Sequence, residues 1–173
     1  MTARQASTGG ASSRLSHQGG FLLSQLGSHS AERFAERLRP LGIGPRHYGL
    51  LSHLAAADGQ SQQQLADAMG IHRNQMVGLI DDLEGRGLVE RRRYQSDRRA
   101  HAIHLTPAAR DLLAKAQQAA GEHEAELLAA LDEPERRQLI ALLGRIAEHA
   151  GLPPGVHPGL RRTRRPEHQC DAP

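Results

Sequence analysis

The sequence predicts a mainly α-helical fold with a small β-wing: a helix-turn-helix lobe that ends in a two-stranded hairpin, flanked by longer helices. Two short amphipathic segments are separated by Gly70, which predicts the helix-turn-helix. The hydrophobic period then changes from about 3.6 residues to about 2 within residues 88–105, which predicts the hairpin. Since 38% of the residues are hydrophobic and only 2% are aromatic, the core must consist of aliphatic side chains, as helix packing allows.

The length of 173 residues fits one domain with tails. We expect residues 1–18, rich in Ser, Gly and Gln, and the Pro-rich basic residues 151–173 to be disordered tails. Neither segment can bury enough apolar surface to offset the entropy of ordering. The folded domain is therefore predicted over residues 19–150.

Two helices are predicted before the helix-turn-helix. The first ends near Pro40 and carries an apolar stripe at three- and four-residue spacing: Leu23, Gly27, Ala31, Phe34, Leu38 and Leu41. The second begins at Pro45, because proline suits the first position of a helix. Its predicted inward-facing residues are Tyr48, Leu51, Leu54 and Ala55.

The helix-turn-helix begins at Ser61, which can form an S-x-x-Q capping box with Gln64. Gly70 ends its first helix, and the second is predicted from about residue 72 to 85. Ala66 is small enough for the two helices to cross. The apolar anchors toward the core are Leu65, Ile71, Met76 and Leu79. Taken alone, this pattern also fits an ordinary αα-hairpin in a helical domain.

The hairpin follows directly, with strands predicted in residues 88–94 and 101–105. Thr106 then caps a long helix that carries Leu112, Leu113, Ala116, Ala120, Leu127 and Leu131. Asp132 and Glu135 form a second capping box, which starts the last helix. Its apolar residues are Leu139, Leu142, Leu143 and Ile146.

Five arginines fall within residues 90–101, on and beside this hairpin: Arg91, Arg92, Arg93, Arg98 and Arg99. A wing beside a helix that enters the major groove would place these cations next to DNA phosphates, whose neutralisation drives binding. Asp97 lies in the predicted turn, where aspartate is favoured. It could also form a forked pair that aims Arg99 into the minor groove, and the two roles are compatible.

The stretch GLVERRRYQSDRRAHAIHLT, residues 87–106, resembles the wing of the MarR (multiple-antibiotic-resistance-regulator) family of transcriptional regulators. Members of that family show GLVxR, then D-x-R-R, then LT before a long helix. The stretch LADAMGIHRNQMVGLIDDLEGRGLV, residues 65–89, resembles the family's recognition unit. The resemblance covers about residues 20–150.

This resemblance implies a homodimer whose two lobes read a palindromic operator in double-stranded DNA, as a repressor. It implies that Arg99 enters the minor groove and that Asp97 holds it. The reading face of the recognition helix corresponds to His72, Arg73, Asn74, Gln75 and Val77. Further DNA contacts are expected from Ser61, Gln62 and Arg98. His72 departs from the good N-cap residues of the family, so we expect the first turn of that helix to fray or to rely on a phosphate.

Many family members bind a small ligand between the dimer helices and the lobe, and the ligand then releases DNA. By this resemblance we expect a pocket for a phenolic or aliphatic effector near His47, Tyr48, Leu51 and Leu112. No cofactor is expected. No metal site is expected either, because His101 and His104 would face opposite sides of a strand and no Cys/His cluster has ligand spacing.

Dimerisation is also predicted from the apolar stripes themselves. The lobe, residues 45–106, has its own small core, so helices within residues 19–40 and 107–150 carry more apolar surface than it can cover. The surplus residues are Phe34, Leu38, Leu127, Leu131, Leu139, Leu142 and Ile146. A two-fold partner that offers the same surface is the commonest way to bury them.

We expect a cytoplasmic protein. No segment approaches the roughly 20 apolar residues of a membrane span, residues 1–20 lack a signal-peptide run, and the single Cys170 suits a reducing compartment. The net charge of +3 is only mildly basic, so the clustering of arginine carries the argument for DNA. Two alternatives stay open: a protein of the same fold without a small-molecule effector, and a small helical enzyme. The enzyme is disfavoured because the sequence shows no nucleophile–base pairing, Gly-rich phosphate loop or metal spacing.

Overall fold

The computed structural model describes residues 15–93 and 101–155. Within them the helices are α1 (Gly19–Leu38), α2 (Pro45–Ala56), α3 (Gln62–Met69), α4 (Arg73–Gly85), α5 (Pro107–Leu127) and α6 (Glu133–His149), with a 3-10 turn, η1, at Arg39–Leu41. The strands are β1 (Gln60–Ser61), β2 (Val89–Arg93) and β3 (His101–Leu105). The predicted fold class, mainly helical with a small β-wing, is confirmed.

The three strands form an antiparallel sheet in the order β1-β3-β2. Val89 lies opposite Leu105 and Arg93 lies opposite His101, so the two wing strands pair over their full length. The sequence did not reveal β1, because two residues are too few to show an alternation. Gly59 leads into β1 with a φ of +79°, and a Cβ there would lie 3.1 Å from His104 Cε1. Glycine is therefore strongly favoured at this position.

The lobe has a continuous aliphatic core formed by α2, α3, α4, the wing strands and the start of α5. Its fully buried large residues include Leu50, Leu51, Leu54, Leu65, Met76, Ile80, Leu83 and Ile103. One predicted inward position in α2 is wrong: Ala55 is exposed, and Leu50 is the buried residue. The α2 face that meets the core is rotated relative to the stripe read from the sequence, because Leu50 and Leu51 both point inward.

A smaller cluster joins α1 to α5 and to the loop before α2. Leu38, Ile43 and Ala116 are its buried members, and Phe34 packs against it with its ring edge-on to Tyr48 at 5.3 Å between centroids. Phe34 and Leu38 were predicted to face a dimer partner, but both pack within the chain. Leu131 was assigned to the long helix, but α5 ends at Leu127 and Leu131 lies in the connection to α6.

Apolar side chains remain exposed on two helices. On α1 they are Phe21, Leu22, Leu23 and Leu26, and on α6 they are Ile140, Leu142, Leu143 and Ile146. No residue of α6 is buried, although its apolar residues recur at helical spacing. We call these eight residues the apolar face. Among the described residues, no helix is long and apolar enough to cross a membrane.

Candidate nucleic-acid interface

Helices α3 and α4 are joined by a tight reversal at Gly70. The predicted capping box is confirmed: Ser61 Oγ accepts from the Gln64 N–H at 3.2 Å, and Gln64 Oε1 accepts from the Ser61 N–H at 2.8 Å. Gly70 has a φ of +62°, the left-handed conformation that ends α3. The Ile71 N–H then donates to the Ala66 carbonyl at 3.0 Å and turns the chain into α4.

The side chain of His72 caps α4. Its Nδ1 accepts a hydrogen bond from the Asn74 N–H at 3.2 Å, so the expectation that this turn frays or relies on a phosphate is wrong. An unprotonated imidazole nitrogen offers the same acceptor that a serine or aspartate oxygen would. The first turn of α4 is thus formed by the protein itself.

The predicted reading face lies along the first two turns of α4. His72, Arg73 and Asn74 are exposed, and Gln75 and Val77 are half-buried. Met76, between them, is fully buried in the lobe core and fixes the rotation of the helix. The structure therefore brings the five predicted residues to the N-terminal end of α4, with His72, Arg73 and Asn74 exposed.

Two further predicted DNA contacts lie at the start of α3. The Ser61 hydroxyl is used in the capping box. The amide of Gln62, with its oxygen turned toward Arg91, accepts from Arg91 Nη2 at 2.9 Å and from Nε at 3.2 Å. Both side chains thus have partners within the lobe.

The arginines of β2 differ in their surroundings. Arg91 is 22% exposed and forms ion pairs with Asp81 and Glu84 of α4. Arg92 is largely exposed and pairs with Glu90 on its own strand. Arg93 is exposed, and no ion pair joins it to another described residue. Sequence reasoning counted all three as cations for DNA and missed the acidic pair on α4, whose i, i+3 spacing was the available signal.

Asp97, Arg98 and Arg99 lie outside the described residues. Their assignment to the minor groove stays a prediction from the sequence. The described strands on either side, β2 and β3, are paired from Val89 to Arg93 and from His101 to Leu105.

Strand β3 is fastened to the loop before β1. Asp58 accepts from the Leu105 N–H at 3.1 Å and lies 3.0 Å from His104 Nδ1. Burial raises the pKa of Asp58, but the hydrogen bonds from His104 and Leu105 outweigh it and hold that pKa below its ordinary value. His104 is thus engaged with a carboxylate at the base of the wing, whereas His101 is exposed. Among the described residues, no group of three or more His, Cys, Asp or Glu side chains is placed to hold a metal ion.

The four residues of the predicted effector pocket do not surround one opening. His47 lines a cleft of about 470 Å³ between the start of α2 and α4. Tyr48 and Leu112 are half-buried against the small cluster, and Leu51 is fully buried in the lobe core. The cleft beside His47 also borders Gln75, which belongs to the predicted reading face.

His47 links the beginning of α2 to α4. Its Nδ1 accepts from the Gly44 N–H at 3.1 Å, and its Nε2 lies 2.9 Å from Asp82 Oδ2. Both contacts suit a neutral ring that carries its proton on Nε2. Burial lowers the pKa of His47 below its ordinary value, with Asp82 offsetting part of the effect, which also favours the neutral ring.

A second cleft, of about 300 Å³, opens between α1 and α5. The Ser30 hydroxyl lies 2.9 Å from His123 Nε2, and the His123 ring stacks on Phe34 at 5.6 Å between centroids. Sequence reasoning missed this cleft. The available signal was a run of small residues that faces Phe34 and His123: Gly27, Ala31 and Ala120.

Comparison with known proteins places these features in a family. A sequence model described as MarR family matches residues 41–100. A protein of Thauera aromatica, described as a transcriptional regulatory protein for the hcr operon, is 37% identical over 105 residues. That match covers 61% of this chain and 63% of the relative, so the chain spans somewhat less than two thirds of the relative's length.

Solved structures match over nearly their whole length. The transcriptional repressor CouR on a 23-mer DNA duplex is 34% identical, with a TM-score of 0.70 over 83% of this chain and 99% of CouR. CouR from Rhodococcus jostii RHA1 bound to p-coumaroyl-CoA, also 34% identical, gives 0.65 over 77% and 94%. A MarR-family transcriptional regulator from Rhodococcus sp. RHA1 is 30% identical, with a TM-score of 0.65 over 83% of this chain and 96% of that one. At these identities and with this coverage, the chain belongs to the MarR family of transcriptional regulators.

Proposed function

We propose that the protein is a DNA-binding transcriptional regulator that acts as a homodimeric repressor on an inverted-repeat operator. The proposal rests on the N-terminal end of α4. Exposed polar side chains lie there, and the buried Met76 fixes the rotation of the helix. A helix with a polar outer face fits the major groove, about 12 Å wide. The neighbouring β2 adds exposed arginines that suit the flanking phosphates. CouR, a repressor with the same fold, was solved on DNA.

We assign DNA binding and dimerisation to the two parts of the chain predicted from the sequence. Residues 45–106 form the DNA-binding lobe, and residues 19–40 and 107–150 form the dimerisation region. The apolar face on α1 and α6 supports the dimer, because a single chain leaves it in water. Two lobes related by a two-fold axis would meet successive major grooves, with half-site centres about 10 base pairs apart. A regulator of this kind acts in the cytoplasm.

Selection of duplexes from a random-sequence library with the full chain tests this function. The bound pool should be enriched in an inverted repeat with the half-site spacing given above, and the enriched duplex should compete out unrelated DNA. A pool that stays random at physiological salt would contradict the proposal, and so would binding that does not weaken as salt is raised.

Replacing Arg99 with alanine should weaken binding to the selected duplex and reduce the slope of log affinity against log salt by about one unit. The physical reason is the loss of one cation from the wing. Asp97→Ala should have a similar but smaller effect, because it acts by orienting Arg99. Binding titrations at four or five salt concentrations measure the slope. An Arg99→Ala protein that binds as tightly as the parent at moderate salt would show that the wing arginine is wrongly assigned.

A second question is whether the regulator responds to a small molecule. The cleft between α1 and α5 supports a response, because a flat aromatic group fits between small residues beside the Phe34 and His123 rings. The Ser30–His123 pair offers a hydrogen bond to a phenolic hydroxyl. CouR, in turn, was solved with p-coumaroyl-CoA. A ligand can release DNA only if it favours one arrangement of the two lobes over the other.

Titrating phenolic acids and their coenzyme A thioesters against the protein–operator complex tests the response. We expect one of them to release the duplex, and we expect Phe34→Ala or His123→Ala to raise the concentration needed about ten-fold or more, on the scale of one lost ring contact or hydrogen bond. Both variants should still bind the duplex without ligand. If no compound in a broad panel releases the duplex, the alternative without a small-molecule effector is favoured.

A further inference from the structure

We propose that Arg91 is a positioning residue that holds the wing against the recognition helix, and that it does not contact DNA. This inference rests on the proposed function, since a wing position matters only if the wing binds DNA. Neighbouring arginines of β2 then have different roles. Arg91 fixes the position of the wing, and the exposed Arg92 and Arg93 are available to bind phosphate.

The guanidinium of Arg91 joins three elements of the lobe. It leaves β2 and forms ion pairs with Asp81 and Glu84, which lie one turn apart on α4. On its other edge it donates from Nη2 and Nε to the amide oxygen of Gln62, at the first position of α3. The side chain therefore ties the wing to both helices of the helix-turn-helix.

These contacts leave little capacity for a phosphate. One Nη1 hydrogen, both Nη2 hydrogens and the Nε hydrogen are engaged, which is four of the five donors of an arginine. The charges also oppose such a contact. The single positive charge of Arg91 is outweighed by the two carboxylates, so the cluster carries a net negative charge that disfavours a phosphate beside it.

The position of Arg91 along the strand explains why it controls the outer wing. Leu88 and Val89, before it, are buried in the lobe core and need no further fastening. Arg92 and Arg93, after it, are exposed. In the part of the chain that the structure describes, Arg91 is thus the last residue of β2 whose side chain bonds to α3 or α4, and it lies opposite the buried Ile103 of β3. The position of Arg92 and Arg93 relative to α4 therefore depends on this contact.

Lysine substitutions distinguish the positioning role of an arginine from the effect of its charge on DNA affinity. Lysine keeps the positive charge but has a compact ammonium group that cannot reach three acceptors in a fixed fork. We expect Arg91→Lys to weaken binding to the selected duplex about ten-fold, within the range known for coupling through packed contacts. Arg137→Lys is the control: Arg137 is an exposed arginine on α6, outside the lobe, and lysine keeps its charge and can replace its ion pair with Glu133, so binding should stay within about two-fold. Equal binding by Arg91→Lys and the parent would overturn the proposal.

Neutralising Asp81 and Glu84 distinguishes two roles, because a purely electrostatic role and a positioning role predict opposite changes in affinity for the selected duplex. If Asp81 and Glu84 acted only through their charge, Asp81→Asn with Glu84→Gln would bind every duplex more tightly. If they hold Arg91 in place, binding to the selected duplex should weaken about ten-fold, while binding to an unrelated duplex is unchanged or tighter. A rise in affinity for the selected duplex would overturn the proposal.

A measurement without DNA keeps this inference separate from the proposed function. Amide hydrogen exchange of residues 90–93 and 101–103 should be faster in Arg91→Lys and in the double acid variant, and unchanged in Arg137→Lys. If the parent protein selects no duplex, the proposed function fails, and the exchange comparison still decides whether the clamp exists. If exchange in the wing is the same in all four proteins, the clamp is wrong even when the parent binds its duplex tightly.

Discussion

Replacing both Leu142 and Ile146 with aspartate should produce monomers that no longer bind the selected inverted repeat. These side chains are 45% and 54% exposed in the single chain and lie on the same side of α6. Obligate dimers bury large apolar interfaces, commonly 2,000 Å² in total or more, as order-of-magnitude values. An unpaired carboxylate buried in such an interface costs several kcal/mol, so two should cost the dimer at least about 100-fold in stability. Sedimentation velocity and operator titration measure the two consequences.

The control for this substitution is Arg137→Asp on the same helix. At about 100° per residue, Arg137 lies on the side of α6 opposite Ile146, and it forms an exposed ion pair with Glu133. The change in charge is −2 for Arg137→Asp and also −2 for the two new aspartates. The Arg137→Asp protein should remain a dimer and bind DNA. If both variants dissociate, charge alone explains the effect; if neither does, the apolar face is not the dimer interface.

Replacing Gln75 with alanine should cost roughly 1 to 3 kcal/mol at one base pair and relax the preference there, because a glutamine amide can bond adenine in two places at once. Gln75 lies in the first turn of α4, where the His72 cap and the buried Met76 fix the orientation of the helix. Asn74→Ala should act in the same way at a different base pair. Repeating the duplex selection with each variant measures which position loses its preference.

Gln118→Ala is the matched control, since this glutamine lies on α5 and its amide bonds Glu122, far along the chain from the reading face. It should leave the selected sequence unchanged. Weakening of Gln75→Ala by the same factor on every sequence would instead identify Gln75 as a phosphate contact. No change at all would remove it from the interface.

Local rules predicted much of this lobe. The capping boxes at Ser61 and Asp132 and the reversal at Gly70 depend on residues at most a few positions apart, so they can be read from the sequence. The wing strands were found for the same reason, because alternation over five residues is a local pattern. The cap at His72 was misjudged, because propensity describes imidazole on average and not the particular ring whose Nδ1 accepts from the Asn74 N–H.

The features that the sequence did not predict depend on contacts between segments that are distant along the chain. From the sequence Leu38 belongs to the apolar stripe that was predicted to face a dimer partner, but the chain folds Ile43 and Ala116 over it. Arg91 reads as one cation among five, but its acceptors lie seven and ten residues earlier on α4 and at Gln62. Similarly, the cleft beside Phe34 needs Ser30 and His123, which are 93 residues apart. Which residues form the core, bind the effector or position the wing is therefore decided by packing.

The stoichiometry on DNA tests the central claim most directly. Sedimentation of the full chain with a fluorescent duplex should be measured at moderate salt and micromolar protein, once with the selected inverted repeat and once with a single half-site of equal length. We expect two protomers on the inverted repeat and far weaker binding to the half-site. A monomer that binds the single half-site as tightly as the inverted repeat would contradict it.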